Sequence, residues 1–215
     1  MPEITIVYFP DVVEKDVLEL ETALHSVSND VASQSQSPGV YGAWEYLMPA
    51  ALTVVIAEPI LAGFLKKIGE GAAELLGKAL IKTFEAVKGV TGRWHRAGSD
   101  KPGPPVVPIS LTVPFAVGSI RFMFPADLDA EQMRNALVQI KTVLPEGQAA
   151  IKRAERLRTL DRARVAKGQF PADGRTGEKY YERIYVYRPK LSRWVDAYAI
   201  LEATIQANEI TELSD

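Results

Sequence analysis

The chain contains no cysteine among its 215 residues. Disulfide bonds, thiolate nucleophiles and cysteine-ligated zinc sites are therefore excluded, and a reducing compartment is the natural setting for such a protein. Histidine is nearly as scarce, with only His25 and His95. Because arginines flank His95 in GRWHRAG, its positive surroundings disfavour metal capture. We expect no histidine metal site, no catalytic triad and no cofactor.

No charge of one sign dominates, since 25 Lys and Arg residues balance 27 Asp and Glu residues, for a formal net charge of −2. Such a balance creates no global field that recruits nucleic acid or anionic lipid, so electrostatic binding must come from a local patch. The first residues, MPEITIVYFPD, also lack the basic and apolar regions of a secretory signal. This absence predicts a cytoplasmic protein.

The longest apolar run, residues 47–65, approaches the length of a membrane span but is interrupted. An ionised Glu58 near the middle of a span would cost about 2.5–3.5 kcal/mol, and Pro49 and Pro59 would disrupt the helix. In a soluble protein, LTVVIA is instead a short β-branched strand, and Pro59 lies in the first turn of a helix beside Glu58. We predict strand, turn and helix; the alternative is a membrane-associating effector that uses this run.

The helix after this turn is predicted to run to about Val87 and carries several glycines. Glycine lowers helix propensity but allows another backbone to approach closely. The helix is therefore expected to pack tightly on the sheet or on a second copy, or else to break near residues 69–71. The candidate self-association positions are Gly63, Gly71 and Gly77.

Hydrophobic periodicity predicts strand, helix, strand, strand, helix, strand through residue 117. The first helix is expected to open at Asp11, with Glu14 completing a capping box and an apolar stripe that reaches Val31. VYGAWEYLM and LTVVIA are predicted to form one hairpin. ISLTVPFAV and SIRFMF, on either side of Gly118, are predicted to form a second.

The last third of the chain contains two predicted helices and an aromatic strand. Asp129 and Gln132 have capping-box spacing ahead of an apolar stripe, and Pro145 is expected to stop that helix. A separate basic helix is predicted from about Gln148 to Lys167. The strand YYERIYVYR follows, and the chain then either doubles back near residues 189–192 or enters a short helix.

This order of elements resembles the ferredoxin-like split βαβ sandwich, an antiparallel sheet with two helices on one face. We therefore predict an α+β fold with a ferredoxin-like βαββαβ core over residues 1–117. Residues 118–215 would extend it by a hairpin strand, two further helices and a C-terminal strand region, on the same compact core, with a loop at 97–108. Small modules of this shape accompany effector proteins in bacterial conflict systems, which implies an accessory role. The fold itself hosts many functions.

The basic helix is the strongest candidate for a binding surface. Residues 151–167, IKRAERLRTLDRARVAK, hold seven basic and two acidic residues, a local charge of 7 − 2 = +5. At helical spacing its apolar residues fall on one side, so the helix is expected to present a cationic ridge to phosphates or to an acidic partner. The alternative is a solvated face. The ridge residues are Lys152, Arg153, Arg156, Arg164 and Lys167.

Two weaker features complete the candidates. Tyr181, Tyr185 and Tyr187 share one parity in the aromatic strand, so they form an exposed platform for stacking or are buried against a helix. Glu58, at the end of a buried strand, is the one candidate for a catalytic carboxylate, and a plain acid at a helix start is the alternative.

These features favour a non-enzymatic module that binds a protein partner or a second copy of itself. The alternative is nucleic-acid binding through residues 151–167. Membrane association through residues 47–65 and catalysis by Glu58 are weaker alternatives.

Overall fold

The computed structural model describes residues 2–35, 50–69, 73–88, 107–116, 118–167 and 181–197. Its elements, in chain order, are β1 (Ile4–Tyr8), α1 (Glu14–Leu24), β2 (Val31–Ser35), β3 (Ala50–Ile56), α2 (Glu58–Gly69), α3 (Ala73–Val87), β4 (Val107–Phe115), β5 (Gly118–Phe124), α4 (Ala130–Ala166), β6 (Tyr181–Arg188) and β7 (Arg193–Asp196). The protein is therefore α+β, as predicted.

The seven strands form one sheet in the order β2-β1-β3-β4-β5-β6-β7. Three neighbouring pairs are parallel, namely β1–β2, β3–β4 and β5–β6. The other three pairs are antiparallel. The sheet is thus mixed, and the prediction of an antiparallel sheet is wrong. In each parallel pair the two strands are connected through one or more helices. Such a connection is needed because the chain must return to the end of the sheet at which the first strand began.

The ferredoxin-like core is not confirmed. In a split βαβ unit another strand separates the two parallel strands. Here β1 and β2 are direct neighbours over five residue pairs, from Ile4 with Val31 to Tyr8 with Ser35. β3 and β4 are also direct neighbours. β2 itself was not predicted, since the sequence assigned Val31 to the first helix, and the spatial order of the strands was not predicted either.

All four helices lie on the same face of the sheet, because α1 contacts α3, and both α2 and α3 contact α4. β1 and β5 point the same way, yet the step from β1 to β2 and the step from β5 to β6 run in opposite directions across the sheet. The β5–α4–β6 unit therefore has the opposite hand to the β1–α1–β2 unit, although one hand dominates among known proteins. The β4–β5 hairpin fixes the position and direction of β5. With β6 on the far side of β5, α4 lies on the same face as the other helices only if the β5–α4–β6 connection has this opposite hand.

The core fills the space between the sheet and the helices. Alternate residues of the strands point into it, and several residues that point the other way, among them Ser110, Met123 and Ile184, are buried on the opposite face as well. Its fully buried strand residues include Leu52, Val54, Ile109, Phe122 and Phe124. Phe64, Leu80 and Phe84 are the matching buried residues of α2 and α3.

The run at residues 52–65 is a strand followed by a helix, as predicted, with β3 ending at Ile56 and α2 beginning at Glu58. Within the described ranges no helix has both the length and the apolar composition needed to cross a bilayer. The glycine-bearing segment is divided between α2 and α3, which confirms the alternative of a break near residues 69–71.

α1 begins later than predicted. Val13 precedes the first turn and supplies no side-chain hydrogen bond, so the capping box at Asp11 is wrong. The backbone N–H of Val12 donates to the carbonyl of Phe9 at 3.0 Å, and this turn delays the helix. The helix also ends early, because Val31 lies in β2.

The hairpin around Gly118 is confirmed by the antiparallel pairing of β4 with β5. β6 and β7 confirm the predicted reversal near residues 189–192, where a 3-10 turn, Pro189–Leu191, precedes Ser192 in the left-handed conformation at φ 48°. The VYGAWEYLM strand and residues 97–106 of the predicted loop lie outside the described residues. The predicted hairpin of VYGAWEYLM with LTVVIA is wrong, because β3 pairs with β1 on one side and with β4 on the other.

Asp129 and Gln132 form the predicted capping box at the start of α4. The Gln132 N–H donates to Asp129 Oδ1 at 2.8 Å, and the Asp129 N–H donates to Gln132 Oε1 at 3.0 Å. The predicted stop at Pro145 is wrong, since α4 continues to Ala166 and includes the basic segment. Buried residues beyond the proline, Ile151 and Ala154, offset its cost by packing on the core.

Candidate functional site

The first half of α4 is held firmly against the sheet. The indole N–H of Trp194 donates to the carbonyl of Ala136 at 3.0 Å in a buried hydrogen bond. Farther along, α4 approaches the sheet closely at Gly147, where a Cβ atom added to the glycine would be 2.9 Å from Ile120 Cδ1 and 3.3 Å from Tyr185 Cε2. This packed half therefore has a fixed position on β5, β6 and β7.

The second half of α4 leaves the body of the protein. Ala154 is its last buried residue among those whose side chains are described. Glu155 and Arg162 continue the buried side at helical spacing, yet both are exposed. Residues 155–166, which we call the distal arm, continue the helix for about 18 Å past Ala154, and every described side chain among them is exposed.

All five predicted ridge residues are exposed: Arg156 and Arg164 lie within the distal arm, Lys152 and Arg153 just before it, and Lys167 just after it. At 100° per residue they occupy an arc of about 120°, opposite the side that packs on the core. Leu160 lies inside this arc and is 58% exposed. Lys167 follows the end of the helix, where its N–H donates to the Arg164 carbonyl at 2.9 Å. The cationic ridge is therefore Lys152, Arg153, Arg156, Arg164 and Lys167 around one exposed leucine.

The ridge carries its charge outward. No ion pair links any of its five cations to another described residue, whereas Arg183 and Arg121 each pair with carboxylates on the sheet. Arg162, on another side of the arm, has an interaction of its own. The ridge can thus meet an anionic surface without first breaking an ion pair within the described structure.

The glycine positions are separated from the ridge. A Cβ atom added at Gly63 or at Gly77 would have nothing within 4 Å, so neither glycine packs closely against the sheet. Gly71 lies outside the described residues. A contact between Gly63 or Gly77 and a second copy stays a prediction.

Glu58 is an exposed residue in the first turn of α2. The burial that would have made it a candidate base is absent. Among the described residues, no group of three or more Asp, Glu or His side chains is arranged to hold a metal ion.

The aromatic strand is buried instead of forming a platform. Tyr185 and Tyr187 are 2% and 1% exposed, and Tyr185 stacks on Phe122 with ring centroids 5.6 Å apart. Burial raises the pKa of the Tyr185 hydroxyl, while the nearby Arg183 acts in the opposite direction. Burial also raises the pKa of Tyr187. The side chain of Tyr181 lies outside the described part of the protein.

Sequence reasoning missed two charged pairs on the sheet. On the face opposite the described helices, Arg121 Nη2 is 2.9 Å from Glu182 Oε1, and both side chains are mostly buried. On the helix face, Arg183 pairs with Asp196 and reaches Glu146 of α4 at 3.8 Å. The available signal was a charged residue inside an otherwise apolar strand, as in SIRFMF. Both pairs join neighbouring elements, which indicates a structural role.

The chain matches no protein-family model, and comparisons with curated proteins and with solved structures likewise give no match.

Proposed function

We propose that this protein is a non-enzymatic interaction module that docks its distal arm on a partner protein. The observation that carries the proposal is the cationic ridge around the exposed Leu160, on a helix that leaves the body. An accessory module of this kind derives its role from the protein it binds.

Leu160 favours a protein partner over nucleic acid. Contacts to phosphates need cations and polar groups, and they gain little from an exposed leucine. Docking of a helix in a groove, by contrast, uses an apolar side chain as the anchor and charges around it for steering. Complete burial of a leucine contributes about 1.5–3 kcal/mol, part of which remains available here. The matching surface is an apolar pocket with an acidic rim.

The absence of cysteine allows a direct test. Ala163 is exposed within the ridge, and Asn135 is exposed on the packed half of α4. Each is replaced by cysteine in turn and labelled with a photoactivated crosslinker, so that the arm and the packed half of one helix are compared. We expect a protein adduct from Ala163→Cys that Asn135→Cys does not give.

Second substitutions decide whether the adduct depends on the ridge. Leu160→Ala and the double variant R156E/R164E should each reduce the yield at least about tenfold. R134E/K141E makes the same charge change on exposed residues of the packed half and should leave the yield unchanged. An adduct that survives both ridge variants, or no specific adduct at all, overturns the proposal.

Nucleic acid is the alternative outcome. Short duplex DNA and RNA are titrated against the protein at low and moderate salt, with fluorescence anisotropy as the readout. Salt-sensitive binding that R156E/R164E removes and Leu160→Ala leaves intact would identify a phosphate-binding arm. That result also contradicts docking on a protein.

A further inference from the structure

We propose that the arm's partner is a second copy of this chain, and that the distal arm of one copy lies along α1 of the next. This inference rests on the proposed function and names its partner. It follows from a match between two exposed helical surfaces at separate places in the fold.

α1 presents an acidic stripe to solvent. Its sequence, EKDVLELETAL, holds four acidic residues and one lysine. Glu19 pairs with Lys82 and so marks the side that faces α3. Glu14, Leu18 and Glu21 lie about 100–160° around the helix from Glu19, on the side turned away from α3; Glu14 and Leu18 are exposed, and Glu21 is half-buried. Leu18 is 61% exposed.

The two helices share one arrangement, an exposed leucine with a charged residue about one turn away on either side. On α1, acids lie one turn before and one turn after Leu18, at positions 14 and 21. On the distal arm, arginines lie one turn before and one turn after Leu160, at positions 156 and 164. Contact between the two leucines would therefore bring a pair of acids close to a pair of arginines.

The dimensions also agree. The distal arm is about 18 Å long, and the eleven residues of α1 span about 16 Å. The described side chains along this length are exposed, so the arm can lie beside a neighbouring α1 without displacing a buried described side chain. Leu18 and Leu160, the two central residues, are among the most exposed large apolar side chains of the described protein.

Two distal arms would not pair through their leucines, because Arg156 and Arg164 of one arm would face the same two arginines of the other. The contact is therefore heterologous, with different surfaces on the two copies. Such contacts form open chains or closed rings. We expect assemblies that grow with concentration and dissociate as salt screens the charges.

Light scattering after size exclusion tests this arrangement with the full-length chain. Wild type at low salt should exceed the monomer mass of 23.6 kDa increasingly with concentration. Leu18→Asp and Leu160→Asp should each weaken association about tenfold or more and give the monomer mass. Val138→Asp changes another exposed apolar residue, on the packed half of α4, and should assemble as wild type does.

Mixing gives the decisive measurement. The Leu18→Asp chain keeps its arm, and the Leu160→Asp chain keeps its α1 surface. An equimolar mixture should therefore form a one-to-one complex of twice 23.6 kDa and grow no further. Circular dichroism of each variant establishes that its fold is intact.

The outcomes separate this inference from the proposed function. Wild type that stays monomeric at low salt, assembly that survives Leu18→Asp, or a mixture without the complex overturns the head-to-tail contact. If the Ala163→Cys crosslinker then still captures another protein through Leu160, the proposed function stands. If substitution of Leu160 changes neither the assembly seen by light scattering nor the yield of the crosslinked adduct, both proposals are wrong.

Discussion

Alanine at position 147 should destabilise the protein, although alanine normally favours a helix over glycine. A Cβ there would lie 2.9 Å from Ile120 Cδ1, 3.3 Å from Ile120 Cγ1 and 3.3 Å from Tyr185 Cε2. Ile120 is fully buried, and the Tyr185 ring stacks on Phe122, so neither neighbour has free space to enter. Overpacking of this kind costs about 1–3 kcal/mol, against a gain in helix propensity of at most about 1 kcal/mol. The expected net loss is about 0.5–2 kcal/mol.

Two other glycines are matched controls within helices. A Cβ atom added at Gly63 in α2 or at Gly77 in α3 would meet nothing within 4 Å. Alanine at either position should raise the free energy of unfolding by about 0.5–1 kcal/mol, because only the propensity difference operates. The sign of the effect should therefore reverse between position 147 and the two controls.

A second substitution tests the named contact. Ile120→Val removes the Cδ1 atom and, alone, should cost about 0.5–1.5 kcal/mol. In the Gly147→Ala background it also relieves the closest contact, so the double variant should be more stable than the sum of the single losses implies. Urea unfolding, followed by circular dichroism and by tryptophan fluorescence, measures all four free energies. If Gly147→Ala proves as stable as Gly63→Ala, the close approach of α4 to the sheet is wrong.

Further expectations concern the cap, the proline and the tyrosines. Asp129→Ala should cost about 1 kcal/mol in urea unfolding, because it removes the capping hydrogen bond at 2.8 Å. Pro145→Ala should raise the melting temperature, since it restores a missing backbone donor at an exposed helix position; an unchanged or lower value would contradict an unbroken helix. Tyr185→Phe should leave stability unchanged or slightly raised in urea unfolding, because the buried hydroxyl has no hydrogen-bond partner among the described residues, and a loss above about 1 kcal/mol would refute this. Burial raises the pKa of Tyr185 and Tyr187 in the folded state, so the unfolded chain ionises first. Their contribution to stability is therefore constant below about pH 10 and falls above it by up to about 1.4 kcal/mol per pH unit for each tyrosine, which unfolding at stepped pH measures against the double phenylalanine variant.

Local chemistry was readable from the sequence. The capping box at Asp129 and Gln132 forms because both partners are three residues apart, and the stripe from Met133 to Leu144 is buried because its spacing is helical. The β4–β5 hairpin was equally local. Each of these predictions needed only the distance along the chain and the period of the element.

Spatial order was not readable, because it depends on contacts between distant segments. Nothing in the sequence of β1 or β2 states that they are neighbours; the packing of α1 on β1 and β2 places them together. The pair of Arg121 with Glu182 has the same origin, since β5 and β6 meet only after α4 has crossed between them. Periodicity identifies a buried side of an element and leaves its neighbour unspecified.

The same distinction explains the distal arm. Spacing predicted which cations share one arc, but their exposure at the end of an overhanging helix depends on the length of the sheet below. The seven residues of β5 span about 23 Å, while α4 has already covered about 32 Å when it reaches Ile151. The described side chains that follow Ala154 are exposed, as expected of a helix longer than the strands on which it packs. Had Pro145 ended the helix, the basic segment would have been free to turn back on the body; because α4 is continuous, its cations and Leu160 are carried outward together.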